Sequence, residues 1–139
     1  IVTHGLMDVV DILGGGEGLP FSETKRFYDR ADIFAFPGIN TEEGDADGIA
    51  NVLLESAASR LPIVATDSGS TTEFLQDGAS ALIVPQRDSA ALAVAMKKLI
   101  TDKEMARRLS DAAYQKVSAD FNIFNTAAII EELILSEIR

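Results

Sequence analysis

Asp47-Gly48-Ile49-Ala50-Asn51-Val52-Leu53-Leu54-Glu55-Ser56-Ala57-Ala58-Ser59-Arg60-Leu61-Pro62-Ile63-Val64-Ala65-Thr66-Asp67 changes character in its middle. Gly48 to Arg60 reads as a helix, with Ile49, Val52, Leu53 and Leu54 supplying an apolar side. Leu61 to Thr66 is apolar almost throughout, the pattern of a strand buried on both faces. The rest of the chain repeats this alternation. Val9 to Leu13 reads as a strand running into Gly14-Gly15-Gly16. Pro20-Phe21-Ser22 opens a helix with Ser22 as its cap and Glu23 in its first turn. Asp32 to Phe36 is a strand stopped by Pro37-Gly38. Ser68 to Gln76 reads as a short helix, Asp77-Gly78 as a turn and Ala81 to Pro85 as a strand. Three helical segments follow, at about 89–100, 102–118 and 123–138, with Ser89 and Asp102 as N-caps. Strands that are apolar throughout, alternating with helices, predict an α/β fold with a parallel sheet covered by helices on both faces. Ligands of such sheets sit at the carboxyl ends of the strands, here after Leu13, Phe36, Thr66 and Val84.

The 139 residues are 47% hydrophobic and contain no Cys, enough for one core over 1–139 without disulfides. Twelve basic against 22 acidic side chains give a net charge of −10. That balance argues against a nucleic acid or an anionic membrane surface as partner. No uninterrupted apolar run approaches the ~18 residues of a membrane span. The first residue is Ile, and the first Met is Met7, so the chain reads as a processed product or a fragment.

Asp47, Asn51 and Glu55 recur at i, i+4 and i+8 and form a polar stripe on the predicted helix. A carboxylate on a mostly apolar helix costs several kcal/mol unless it is hydrogen-bonded or faces a wet cleft. Two readings stand at this point. Glu55 accepts a bond from a neighbouring backbone or hydroxyl group while Asp47 caps the helix. Alternatively, Gly48, Ile49 and Ala50 present N–H groups to a phosphate, as a helix N-terminus can, and Glu55 accepts bonds from a ribose diol.

The run from Asp47 to Asp67 resembles the donor-binding segment of retaining glycosyltransferase family four, which usually reads E-G-[IF]-[PG]-x-V-x-L-E-A-M-A-x-G-x-P-V-V-A-T-D. Upstream, Phe27-Tyr28, Ala31-Asp32 and Phe36-Pro37 resemble the family's LY-x-x-AD-x-x-x-x-PS. Downstream, Gly69, Glu73, Asp77-Gly78 and Leu82-Ile83-Val84-Pro85 resemble GG-x-x-E-x-x-x-DG-x-x-GLLVP. The resemblance implies most of the C-terminal, donor-binding domain of a GT-B enzyme: a Rossmann-like sheet, N-terminally truncated. It implies a retaining transfer of sugar from a nucleotide-sugar, in the cytoplasm or at the inner membrane face, with no metal or other cofactor. It places Asp47 against the transferred sugar, Glu55 on the ribose hydroxyls, the amides of Gly48, Ile49, Ala50, Asn51 and Val52 near the diphosphate or sugar, and Gly15 and Gly16 beside the base.

The chain also departs from the pattern. Asp47 is one methylene shorter than the usual Glu, and Arg60 stands at a helix end that is usually Gly. A non-Gly residue in a left-handed cap costs on the order of 1 kcal/mol. Ser70, Thr72 and Ala81 replace Gly, Pro and Gly. Between residues 31 and 86 the one basic side chain is Arg60, although a diphosphate leaving group needs cations. In the family these come from a G-R…K-G segment with no counterpart here, and two strands of the 3-2-1-4-5-6 sheet lie before Val9. The expected partner is therefore an N-terminal domain or another chain, and this chain alone is not expected to transfer sugar.

Other signals read as structural. Asp45-Ala46-Asp47 spells D-x-D, but a bare pair of acids in the loop Glu42–Asp47 reads as a solvated stretch and no metal is expected. His4 is the single histidine, so no triad can be built with a second. Gly14-Gly15-Gly16 lacks the Lys-Ser/Thr of a phosphate loop. Two rivals to the transferase reading remain: a non-catalytic interaction module that completes its sheet with another chain, and a nucleotide-sugar epimerase, which Asp47–Pro62 fits less well.

Overall fold

The computed structural model describes residues 4–6, 8–14, 19–41 and 48–137, and the chain divides into two compact units, Ile1–Arg30 and Ala31–Arg139. In the first, the helix α1 spans Phe21–Tyr28. It begins one residue before the expected cap: Pro20 is the N-cap, Glu23 N–H donates to its carbonyl (2.9 Å), and Ser22 lies inside the helix. Lys25 and Asp29 (2.7 Å) and Arg26 and Glu23 (3.0 Å) pair along its exposed side. The segment expected as a strand at Val9–Leu13 has no strand structure, and Val9 and Ile12 are 76% and 74% exposed. A strand requires a ladder partner. Among the described residues none pairs with this segment in a ladder.

The second unit is a three-stranded parallel sheet in the order β1 (Phe34–Phe36), β2 (Ile63–Thr66), β3 (Leu82–Val84). Phe34, Ala35 and Phe36 pair with Ile63, Val64 and Ala65; Val64, Ala65 and Thr66 pair with Leu82, Ile83 and Val84. The central β2 is buried at every position, as its continuous apolar run requires. It starts at Ile63 rather than Leu61 because Pro62 has no N–H to give the ladder. Its carbonyl instead accepts from Phe34 N–H (2.9 Å).

Alternation along β2 sends side chains to two cores. Ile63 and Ala65 pack with Leu53 and Ala57 of α2 (Asn51–Ala58), Phe74 of α3 (Thr71–Phe74), and Ala113 and Val117 of α5 (Lys103–Asp120). Val64 packs on the other face with Val84, with Ala95 and Leu99 of α4 (Ser89–Thr101), and with Ala106 and Leu109 of α5. Both faces are therefore covered, and α5 contributes to each core. The Phe74 and Phe121 rings pack edge to face with their centroids 5.2 Å apart. The final helix α6 (Ile123–Glu137) leaves Ile123, Phe124, Leu133 and Leu135 exposed.

Element ends follow local bonding. Asp102 caps α5 as expected, accepting from Met105 N–H (2.8 Å). At α4 the cap is Asp88, one residue before the expected Ser89, accepting from Ala91 N–H (2.8 Å). α3 is shorter than the expected Ser68–Gln76. Gly69 N–H donates to Asn40 Oδ1 (2.7 Å) and Gln76 N–H to Ser80 Oγ (2.9 Å), so both ends are drawn out of the helical pattern. α2 ends in a Schellman motif: Arg60 N–H donates to Ala57 O and Leu61 N–H to Ser56 O, both at 3.0 Å, with Arg60 at φ 56°. The cost anticipated for a non-Gly residue there is offset by contacts with α5. The Arg60 guanidinium pairs with Asp111 (2.5 Å) and lies 3.6 Å from the centre of the Tyr114 ring.

Candidate functional site

The loops leaving the carboxyl ends of β1, β2 and β3 meet in one hydrogen-bonded assembly. Thr66 Oγ1, buried at the end of β2, donates to Gly38 O (2.6 Å) after β1 and lies 3.2 Å from Ser68 Oγ. Asn40 joins all three loops: its N–H donates to Gln86 Oε1 (2.7 Å), and its Oδ1 accepts from Gly69 N–H. Gln86 in turn donates its N–H to Asp67 Oδ1 (3.0 Å) and its Nε2–H to Asp67 O (3.1 Å). Gly38 is required for this closeness, since a Cβ there would collide with Ser68 Oγ and the Phe36 ring. These bonds tie the starts of the three loops to one another.

Two recesses open on this edge. A small one, ≈ 60 Å³, is lined by Gly38, Ile39, Asn40, Gly48, Ser68 and Gly69. A second, ≈ 170 Å³, lies among Pro37, Ile39, Thr66, Arg87, Asp88 and Leu92. Ile39 forms a wall of both.

The sequence-predicted residues fall around the first recess in part. Gly48 lines it, and nothing stands within 4 Å of where its Cβ would be. Ile49 and Ala50 pack their side chains against the core. α2 begins at Asn51, not Gly48: Ala50 is extended (φ −62°, ψ 128°) and serves as N-cap, its carbonyl accepting from Leu53 N–H (2.9 Å). The free N–H groups expected of this helix start are thus those of Ala50, Asn51 and Val52, with Gly48 and Ile49 preceding it. Asn51 and Val52 are exposed, and Glu55, one turn beyond Asn51, is half-buried. The expected three-residue stripe is reduced on α2 to Asn51 and Glu55. Asp47, the D-x-D run, Gly15 and Gly16 lie outside the described residues.

Counting basic residues from 31 to 86 missed Arg87, which stands three residues past the end of β3 and lines the second recess. Its signal in the sequence is position alone, two residues past the Pro85 that ends the predicted strand. Arg60, by contrast, is turned to α5 and is committed to Asp111 and Tyr114.

Residues 3–102 match the family described as Glycosyl transferases group 1. The chain is 33% identical over 122 residues to the amylovoran biosynthesis glycosyltransferase AmsK of Erwinia amylovora, covering 88% of this chain and 29% of that protein. It is 28% identical over 131 residues to a GDP-mannose-dependent α-(1-6)-phosphatidylinositol monomannoside mannosyltransferase of Mycobacterium tuberculosis, covering 94% and 33%. Among solved structures it is similar to Anabaena HepE in complex with UDP-glucose, with a TM-score of 0.69 and 19% identity over 80% of this chain and 29% of that one. Sucrose-phosphate synthase from Thermosynechococcus elongatus gives a TM-score of 0.69 at 24% identity, covering 81% and 27%. The chain spans about 30% of the length of the relatives it matches. Its three-stranded parallel sheet with helices on both faces is the Rossmann-like fold of GT-B enzymes. No helix among the described residues is long and apolar enough to cross a membrane. By the match over 3–102 and by its relatives, this chain belongs to the glycosyl transferases of group 1.

Proposed function

We propose that the chain is the donor-binding half of a retaining hexosyltransferase, which takes a sugar from a nucleotide-sugar and passes it to an acceptor with its configuration kept. The observation that carries this reading is one run of chain, Gly48 to Glu55, leading from the recess at the carboxyl edge into α2. Gly48 lets a ligand approach the backbone closely. The N–H groups of Asn51 and Val52 stand at the positive end of the helix, suited to a phosphate. Glu55, one turn on, is suited to a ribose diol, and Asp47 to the hydroxyls of the transferred sugar. Gly15 and Gly16 belong beside the base.

In the reaction, the bond between the sugar's anomeric carbon and the diphosphate oxygen breaks. The acceptor oxygen bonds to that carbon from the same face, and the acceptor's hydroxyl proton passes to the leaving diphosphate. No metal takes part in this reading. An N-terminal domain or another chain supplies the acceptor site, and the enzyme works in the cytoplasm or at the inner membrane face. The names of HepE with UDP-glucose and of the GDP-mannose-dependent relative support a nucleotide-sugar donor as a class. Family membership favours the transferase over a non-catalytic interaction module.

Titration of the protein with UDP and GDP tests the reading. Binding of one of them, weakened about tenfold or more by Glu55→Ala, is expected, since a charged acceptor of two hydroxyl donors contributes ~1.5–3 kcal/mol per bond. Unchanged affinity in that variant refutes the ribose role.

A further inference from the structure

Two residues other than glycine hold a left-handed backbone among the described residues, Arg60 at φ 56° and Arg87 at φ 61°. Each has a backbone conformation disfavoured for a residue with a Cβ. At Arg60 the reason is visible: Asp111 and Tyr114 hold its side chain against α5. Arg87 has no comparable partner; its guanidinium forms no ion pair with any described residue. Strain kept without a structural return is a pointer to function. Here it stands at the carboxyl edge of the sheet, on the wall of the ≈ 170 Å³ recess.

We propose that Arg87 is a substrate-binding residue whose guanidinium takes a phosphate group of the substrate in this recess. The proposal rests on the transferase reading. Three observations bear on it. The recess adjoins the one at Gly48 through their common wall, Ile39. The two acidic neighbours are already engaged: Asp67 Oδ1 accepts from Gln86 N–H, and Asp88 Oδ1 accepts from Ala91 N–H. Pro37, Ile39 and Leu92 give the recess three apolar walls, and a guanidinium–phosphate pair is charge-assisted and can be bidentate. The space, against ~30 Å³ for one water, admits a phosphate group. Arg60 being committed elsewhere, Arg87 is the first cation after residue 31 that this edge of the sheet offers.

The phosphate has two possible sources, the diphosphate of the donor or a phosphate on the acceptor. Calorimetric titration of the protein with UDP and GDP, with the parent nucleosides, and with a short alkyl diphosphate separates them. Arg87→Gln and Arg87→Gly are expected to weaken a phosphate-bearing probe about tenfold, in the nucleotide arm for a donor phosphate and in the alkyl arm for an acceptor one. Nucleoside binding stays unchanged. Arg87→Gly also raises the thermal midpoint, because glycine is at ease at φ 61°, so its lost affinity cannot be ascribed to unfolding. Arg60→Gly serves as control and leaves affinity as it was. Full affinity of both Arg87 variants for every phosphate probe, or an equal loss with the nucleosides, overturns the proposal. If Glu55→Ala still weakens nucleotide binding in that case, the transferase reading survives alone. A protein that binds neither nucleoside diphosphate overturns both.

Discussion

Arg60 allows the energetics of the α2 end to be separated into parts by substitution. Its backbone sits at φ 56° in a Schellman motif, while its side chain spans to α5. The left-handed conformation costs a non-Gly residue roughly 1–2 kcal/mol. The pair with Asp111 is about half-exposed, so it is held to the low range of surface bridges, about 0.2–1 kcal/mol. The guanidinium 3.6 Å from the Tyr114 ring centre adds about 0.5–1 kcal/mol. Arg60→Ala keeps the backbone cost and loses both contacts, a destabilisation of about 1–2 kcal/mol. Arg60→Gly loses the same contacts and relieves the backbone, so its stability stays within about 1 kcal/mol of the parent. Urea denaturation of the two variants checks this: glycine should exceed alanine by about 1 kcal/mol at equal m-values. Equal stability of the two refutes the left-handed strain. Alanine equal to the parent refutes the contribution of Asp111 and Tyr114.

Gly38→Ala should destabilise by about 1–3 kcal/mol, because the new methyl meets Ser68 Oγ and the Phe36 ring, whereas Gly48→Ala meets nothing within 4 Å and should fold like the parent; thermal melting of the pair checks the contrast. Asp102→Ala should lose about 1 kcal/mol by removing the bond from Met105 N–H at the start of α5; chemical denaturation reads it, and an unchanged midpoint would show the cap to be idle.

Much of the second unit was legible because its residues carry their own punctuation. Leu61–Thr66 marks a doubly buried strand, Asp102 a cap, and Arg60 a helix end. The errors came where a partner, rather than a local pattern, decides. Val9–Leu13 has the composition of a strand and, among the described residues, no ladder partner. Ser89 has the right hydroxyl, but Asp88 is placed to reach Ala91 N–H. Gly48–Ala50 continues the helical apolar pattern, yet Ala50 turns extended and moves the helix start to Asn51. The site was legible as a location, since parallel sheets bind at their carboxyl edge. Arg87 was not, because nothing local in Pro85-Gln86-Arg87-Asp88 announces that β3 delivers it beside Ile39 and Thr66.

The central claim is that a nucleotide-sugar donor binds on the run from Gly48 to Glu55, at the carboxyl edge of β1 and β2. Amide chemical-shift mapping of the labelled protein, titrated with UDP-glucose and GDP-mannose, addresses that claim directly. Saturable shifts at Gly38–Asn40, Gly48–Val52 and Glu55, with either donor, are predicted. Shifts confined to other surfaces, or none with either donor, contradict it.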